Sequence, residues 1–167
     1  MLVTIWRHGE AGAAATDRER QLTPHGREDV TRGAARFVLH CEAGGFALPG
    51  TVHYSPWLRT TQTAEILAAG VCDHRSMALK ALQPGSDTDR VDAELCALGA
   101  ELDFEGHVLL VSHQPLVSYL ADYYLGARGL VPALPPGGQV TLAMDYPAQG
   151  GASLKFWAFP PDYERSC

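Results

Sequence analysis

Long apolar runs are missing from this chain: none reaches the roughly 18 residues a membrane-spanning helix needs, so no membrane association is expected. Paired cysteines are missing too. Cys41, Cys72, Cys96 and Cys167 are widely separated, with neither C-x-x-C nor zinc-ligand spacing, so reduced structural thiols are expected rather than a disulfide scaffold or a metal knuckle. Positive charge is scarce. Thirteen Lys and Arg against nineteen Asp and Glu give a formal charge of -6, which opposes general attraction to nucleic acid or anionic membrane and requires any anion site to be local. Met1 leads within one residue into a strand-like stretch, so no leader is expected and a cytoplasmic location is the default.

What is present is a globular composition. At 167 residues, 46% hydrophobic and 19% charged, the chain suits one domain over residues 1–167 that buries roughly two-thirds of its extended surface. Leu2 to Trp6 reads as a strand interrupted at Arg7-His8-Gly9. After a loop to Gln21, Thr23 and Pro24 supply an N-cap and a first-turn proline for a helix to about His40. Thr51 to Ser55 predicts a second strand, and about Trp57 to Ala69 a second helix. A short strand is expected near Met77 to Leu79, and a loop at Gln83 to Ser86. Asp87 caps a third helix to about Leu102, with Val91, Leu95, Leu98 and Leu102 on one buried face. His107 to Ser112 is a continuous apolar run, as in a strand covered on both faces, and a helix from Leu116 to about Leu125 follows. Gln139 to Asp145 and Ser153 to Phe159 predict a terminal strand pair, and residues 160–167 a loosely held tail. This alternation predicts a three-layer α/β/α sandwich with a mostly parallel central sheet.

Three predicted strands end alike, in Arg7-His8-Gly9, in Ser55-Pro56-Trp57-Leu58-Arg59 and in Ser112-His113-Gln114-Pro115. Ligands of open α/β sheets bind beyond the carboxyl ends of strands, so these distant segments are expected to meet. Two guanidiniums and two imidazoles gathered in an acidic protein call for an anion between them, and phosphate fits. Arg7 and Arg59 are the candidate phosphate forks. His8 is the candidate nucleophile, able to form a phosphohistidine and yield it to water; Gly9 allows a tight turn and close approach of substrate. His113 is expected to stabilise the transferring oxygens. His25, His40, His53, His74 and His107 make no H-x-x-x-H spacing and are read as structural, and Cys72 with His74 falls short of a ligand set; no metal or other cofactor is expected.

These residues resemble the histidine phosphatase superfamily, also called phosphoglycerate mutase-like. The ordered elements are Arg7-His8-Gly9-Glu10, Leu22-Thr23-Pro24-His25-Gly26, the run Ser55 to Ala64 of S-P-x-x-R-x-x-Q-T type, and Ser112-His113. The likeness spans about residues 1 to 125. Within the superfamily, Leu82 to Asp87 and Val111 to Val117 look most like its short bacterial phosphohistidine phosphatases, which lack large cap insertions. The resemblance implies that fold, a phosphorylated His8, phosphate ligands Arg7 and Arg59, the second pocket histidine His113, and a possible backbone donor at Gln114.

One departure bears on substrate. Phosphomonoester-cleaving relatives place an acidic proton donor where this chain reads Lys80-Ala81-Leu82-Gln83-Pro84. An alkoxide needs a proton on leaving, and loss of a positioned acid typically costs about 10²- to 10⁴-fold; imidazole departs more readily. Asp87 and Glu10 remain as substitute acids. The short loop from Glu10 to Gln21 predicts an open pocket within reach of a protein surface. The expected activity is metal-independent hydrolysis of a phosphohistidine-bearing protein. The rivals are a small-molecule phosphomonoesterase and a phospho-binding module without turnover.

Overall fold

A computed structural model describes residues 1–72, 75–101 and 105–167. β-Branched and aromatic residues form β1 (Leu2–Arg7), which lies next to the all-buried β4 (His107–Ser112) at the middle of a six-stranded sheet. With β2 (Thr51–Tyr54), β3 (Ser76–Ala78), β5 (Gln139–Met144) and β6 (Ala152–Ala158), the strand order is β3-β2-β4-β1-β5-β6. β1, β2, β3 and β4 pair in parallel, whereas β5 runs antiparallel to both β1 and β6. The sheet is therefore mixed on one side, where β6 follows β5 without a crossover helix and so reverses direction against it.

Helices cover both faces. α1 (Pro24–Gly44) and α2 (Leu58–Val71) bury Val30, Phe37 and Leu67 with Trp6 and Phe156 in one core. α3 (Thr88–Glu101) and α4 (Leu116–Leu125) bury Val91, Leu95, Leu120 and Tyr124 against Val3, Ile5 and Leu110 in the other. Thr23 caps α1 as expected, its hydroxyl accepting the Gly26 N–H at 2.9 Å. α1 runs past His40 and ends where Gly45, at φ 66°, takes the left-handed conformation and donates to the carbonyls of Cys41 and Glu42. Asp87 does cap α3, accepting the Arg90 N–H at 2.9 Å. On α3 Val91 and Leu95 are buried and Leu98 packs at the margin of the core; Leu102 and His74 fall outside the described residues.

The expectation of a loose tail is wrong. Tyr163 is only 1% exposed; its hydroxyl donates to the Gly137 carbonyl at 3.1 Å and its own carbonyl bonds the His40 ring at 2.7 Å. Ser166 exchanges backbone hydrogen bonds with Trp157 of β6. One aromatic that fits beside Trp6 and Gly33 is enough to hold the end. Among the described residues no helix is long and apolar enough to cross a membrane.

Candidate active site

The register sets the site. Arg7 of β1 pairs with Ser112 of β4, and Tyr54 of β2 with Val111, so the three strands end on one line. His8 N–H then bonds the Ser112 carbonyl at 3.0 Å and Ser55 N–H the Val111 carbonyl at 3.1 Å. Beyond this edge opens a cleft of about 340 Å³ lined by Arg7, His8, Asp17, Arg59 and His113, with Glu10, Arg20, Pro84 and Gln114 at its rim. The four expected site residues meet here, from segments up to 106 residues apart (113 minus 7).

His8 is held in one tautomer. Its Nδ1 lies 2.7 Å from the Gly9 carbonyl, an acceptor only, so Nδ1 carries the proton and Nε2 keeps its lone pair. That Nε2 accepts the Arg59 Nε–H at 3.1 Å. Burial, with the charges of Arg59, Arg7 and Arg20, overrides the Gly9 hydrogen bond and lowers the His8 pKa to about 4, so the imidazole is neutral near pH 7. His113 faces it with ring centroids 5.1 Å apart. Burial first, then His8 and Arg59, lower its pKa to about 3. Its Nε2 pairs with the Ser55 hydroxyl at 2.8 Å, whereas its buried Nδ1 has no partner among the described residues.

The arginines are built in differently. Arg7 Nη1 donates to the Leu134 carbonyl at 2.8 Å, and its buried Nε is likewise unpartnered among the described residues. Burial, then Arg59, lowers the Arg7 pKa. Arg7 and His113, which both line the cleft, thus each carry an orphaned buried nitrogen, and such groups in a protein interior call for a polar partner. Arg59, 4% exposed, lies over the Trp57 ring at 4.9 Å, and Trp57 in turn meets His113 edge-on at 5.4 Å.

The rest of each motif braces this geometry. Thr63 Oγ1 accepts the Gly9 N–H at 3.1 Å and donates to the Arg59 carbonyl at 2.7 Å, tying the nucleophile's loop to the helix that bears the clamp. Gln62 Oε1 accepts the Leu22 N–H at 2.9 Å. Gly9 thus spends its N–H on Thr63 and is not among the residues that line the cleft, and its observed role is in packing. A Cβ there would sit 2.8 Å from Val30 Cγ2 and 2.9 Å from the Gly26 carbonyl. The Gln114 side chain turns away, donating to Ser118 Oγ and the Leu134 carbonyl.

Of the two substitute acids, Asp87 lies away from the cleft, capping α3 in a surface depression with Tyr119 and Asp122. Glu10 reaches the cleft rim, with Oε1 accepting the Thr23 hydroxyl at 2.7 Å. The residue missed by sequence reasoning is Asp17. It sits on a short 3-10 turn, Asp17–Glu19, with one carboxylate oxygen 3.1 Å from Arg59 Nη2 and the other 3.1 Å from Arg20 Nη1. Nothing in the string T-D-R-E-R separates it from an ordinary charged loop. Among the described residues no cluster of three or more His, Cys, Asp or Glu is placed to hold a metal. His25 and His40 lie on α1, near Asp29 and against Tyr163, His53 pairs with Thr51 and His107 with Thr4 and Ala47.

A neutral imidazole whose unprotonated nitrogen meets an arginine, beside a second arginine and a second histidine at the carboxyl edge of parallel strands, has the parts that covalent phosphoryl transfer requires. No family model matches the chain. Over 124 residues, 72% of this chain and 71% of its relative, it is 36% identical to the phosphohistidine phosphatase SixA of Escherichia coli K12. A SixA structure complexed with tungstate matches 96% of this chain and 97% of its own at TM-score 0.71 and 27% identity. A phosphoserine phosphatase from Entamoeba histolytica shares the fold at TM-score 0.62 and 15% identity, over 93% of this chain and 95% of its own. The chain belongs to the histidine phosphatase superfamily and, within it, to the SixA-like phosphatases.

Proposed function

We propose that this chain, acting as one catalytic domain over residues 1–167, hydrolyses phosphohistidine on a protein through a phospho-His8 intermediate. The observation that carries the reading is the His8 ring, whose Nδ1–H is locked on the Gly9 carbonyl while Nε2 faces the cleft beside Arg59. In the first half-reaction Nε2 attacks phosphorus, the P–N bond to the substrate imidazole breaks, and its electron pair stays on the departing ring, which takes a proton from solvent. Arg7, Arg59 and His113 bond the three peripheral oxygens as charge spreads over them. In the second, water attacks phospho-His8, its proton is lost to solvent, and inorganic phosphate leaves with His8 neutral again.

The exchange of one phosphoramidate for another needs no carboxylic acid, so neither Glu10 nor Asp17, the carboxylates that line the cleft, is given a proton-transfer role. The low setting of both imidazoles matters here, since a protonated His8 has no lone pair. The test is incubation of the chain, with chelator present, with a phosphohistidine protein carrying labelled phosphate, and mapping of acid-labile label. Label on His8 and its loss in His8→Ala are expected. Saturable binding without label transfer would instead mark a binding module, and faster turnover of sugar or nucleotide phosphates a phosphomonoesterase.

A further inference from the structure

We propose that Asp17 is an internal counter-anion at the phosphate clamp, which weakens the hold on free phosphate and so favours phosphoryl groups delivered by a docked partner. The inference rests on the phosphatase reading above and names a specificity device in the same site.

Three observations support it. The Asp17 carboxylate caps the outer edge of the Arg59 guanidinium, Oδ2 at 3.1 Å from Nη2 and Oδ1 at 3.4 Å from Nη1. On the opposite side Arg59 Nε donates to His8 Nε2 at 3.1 Å, the side on which a phosphoryl group on His8 would meet the guanidinium. A bound dianion therefore shares one cation with a carboxylate on its far side. Next, the carboxylate is delivered there by a dedicated staple. Arg20 holds the Gly12 and Ala11 carbonyls at 2.7 and 2.9 Å and reaches Asp17 Oδ1 at 3.1 Å, which folds the 11–20 loop over the clamp. Lastly, the charge is redundant for positioning. The Asp17 backbone carbonyl at 2.5 Å, the Trp57 ring and His8 Nε2 already hold Arg59.

What the carboxylate adds is therefore charge. Slight burial opposes its ionisation, but hydrogen bonds from Arg20 and Arg59 prevail and hold its pKa below the usual value, so it is anionic at neutral pH. Arg7, by contrast, bonds a neutral carbonyl and has no carboxylate within ion-pair distance among the described residues. One clamp arginine keeps its full charge for substrate and the other has part of it neutralised. A protein-borne phosphoryl group offsets the loss with contacts elsewhere on the partner; the product phosphate cannot, and leaves.

The experiment is calorimetric titration of the full chain and of Asp17→Asn with inorganic phosphate and, separately, with tungstate. Removing one negative charge a few ångströms beyond the guanidinium is expected to tighten both anions about tenfold in the variant. Asp17 is half exposed, and Asp17→Ser serves as a second variant should the first fold poorly. Equal affinity in wild type and variants would overturn the proposal, and weaker binding would show that the carboxylate props Arg59 instead. Failure of the wild type and variants alike to bind either anion would overturn the phosphatase reading, and this one with it.

Discussion

His107 opens β4 and His113 follows its last residue, so one strand carries two buried histidines at opposite ends of the sheet. Both pKa values fall, His107 to about 4 and His113 to about 3, with burial as the leading cause. Their partners differ. His107 has both ring nitrogens satisfied, Nε2 by the Thr4 hydroxyl at 2.8 Å and Nδ1 by the Ala47 carbonyl at 2.7 Å. His113 has one nitrogen satisfied by Ser55 and the other without a partner among the described residues, in a field set by His8 and Arg59. A lowered pKa therefore separates buried from exposed histidine, whereas an orphaned nitrogen beside guanidiniums separates a working histidine from a structural one.

The contrast can be broken most forcefully at the catalytic end. His8→Ala is expected to abolish labelled phosphoenzyme and lower turnover by at least about 10³-fold with an unchanged thermal midpoint; turnover near wild type would remove the covalent mechanism. Arg59→Ala should cost roughly 10²- to 10³-fold in kcat/KM, as loss of one oxyanion donor does. Ser55→Ala leaves the Nε2 of His113 unpaired and frees its tautomer. The expected fall in kcat is about tenfold, with altered imidazole nitrogen shifts for His113 by NMR and rescue by Ser55→Thr. Were those shifts unmoved, Ser55 would not orient the ring.

At the structural end the readout changes from rate to stability. His107→Gln should lower unfolding free energy by about 1–3 kcal/mol, the cost of unpairing buried Thr4 and Ala47 groups, while kcat stays as in wild type; a rate loss without destabilisation would undo the contrast. The smallest effect is in pH. The folded-state values of His8, His107 and His113 lie below the unfolded 6.5, so between pH 6.5 and about 4 the unfolded chain binds more protons and stability falls as pH falls. Thermal midpoints measured across that window should drop, with a shallower slope in His107→Gln, and kcat/KM should decline as pH approaches 4.

The fold was readable because its signals are local. β4 is an unbroken apolar run, Thr23-Pro24 starts α1, and Gly45 and Gly126 end helices in the left-handed conformation. The tail was misjudged because its anchor is long-range: Tyr163 depends on space beside Gly33 and Trp6, far away in sequence. For Asp87 the sequence supports both a substitute acid and the cap of α3, and the structure shows the cap, in a depression away from His8.

Residue type and strand position were enough to expect Arg7, His8, Arg59 and His113 on one edge of the sheet, and they do line one cleft there. Tertiary packing decided the rest. Which nitrogen of His8 is unprotonated depends on the Gly9 carbonyl, how His113 is oriented depends on Ser55 across the sheet, and the Arg59 charge is met by a carboxylate carried in by a folded loop. Proton placement and charge compensation act over a few ångströms of space, and distance along a chain does not encode them.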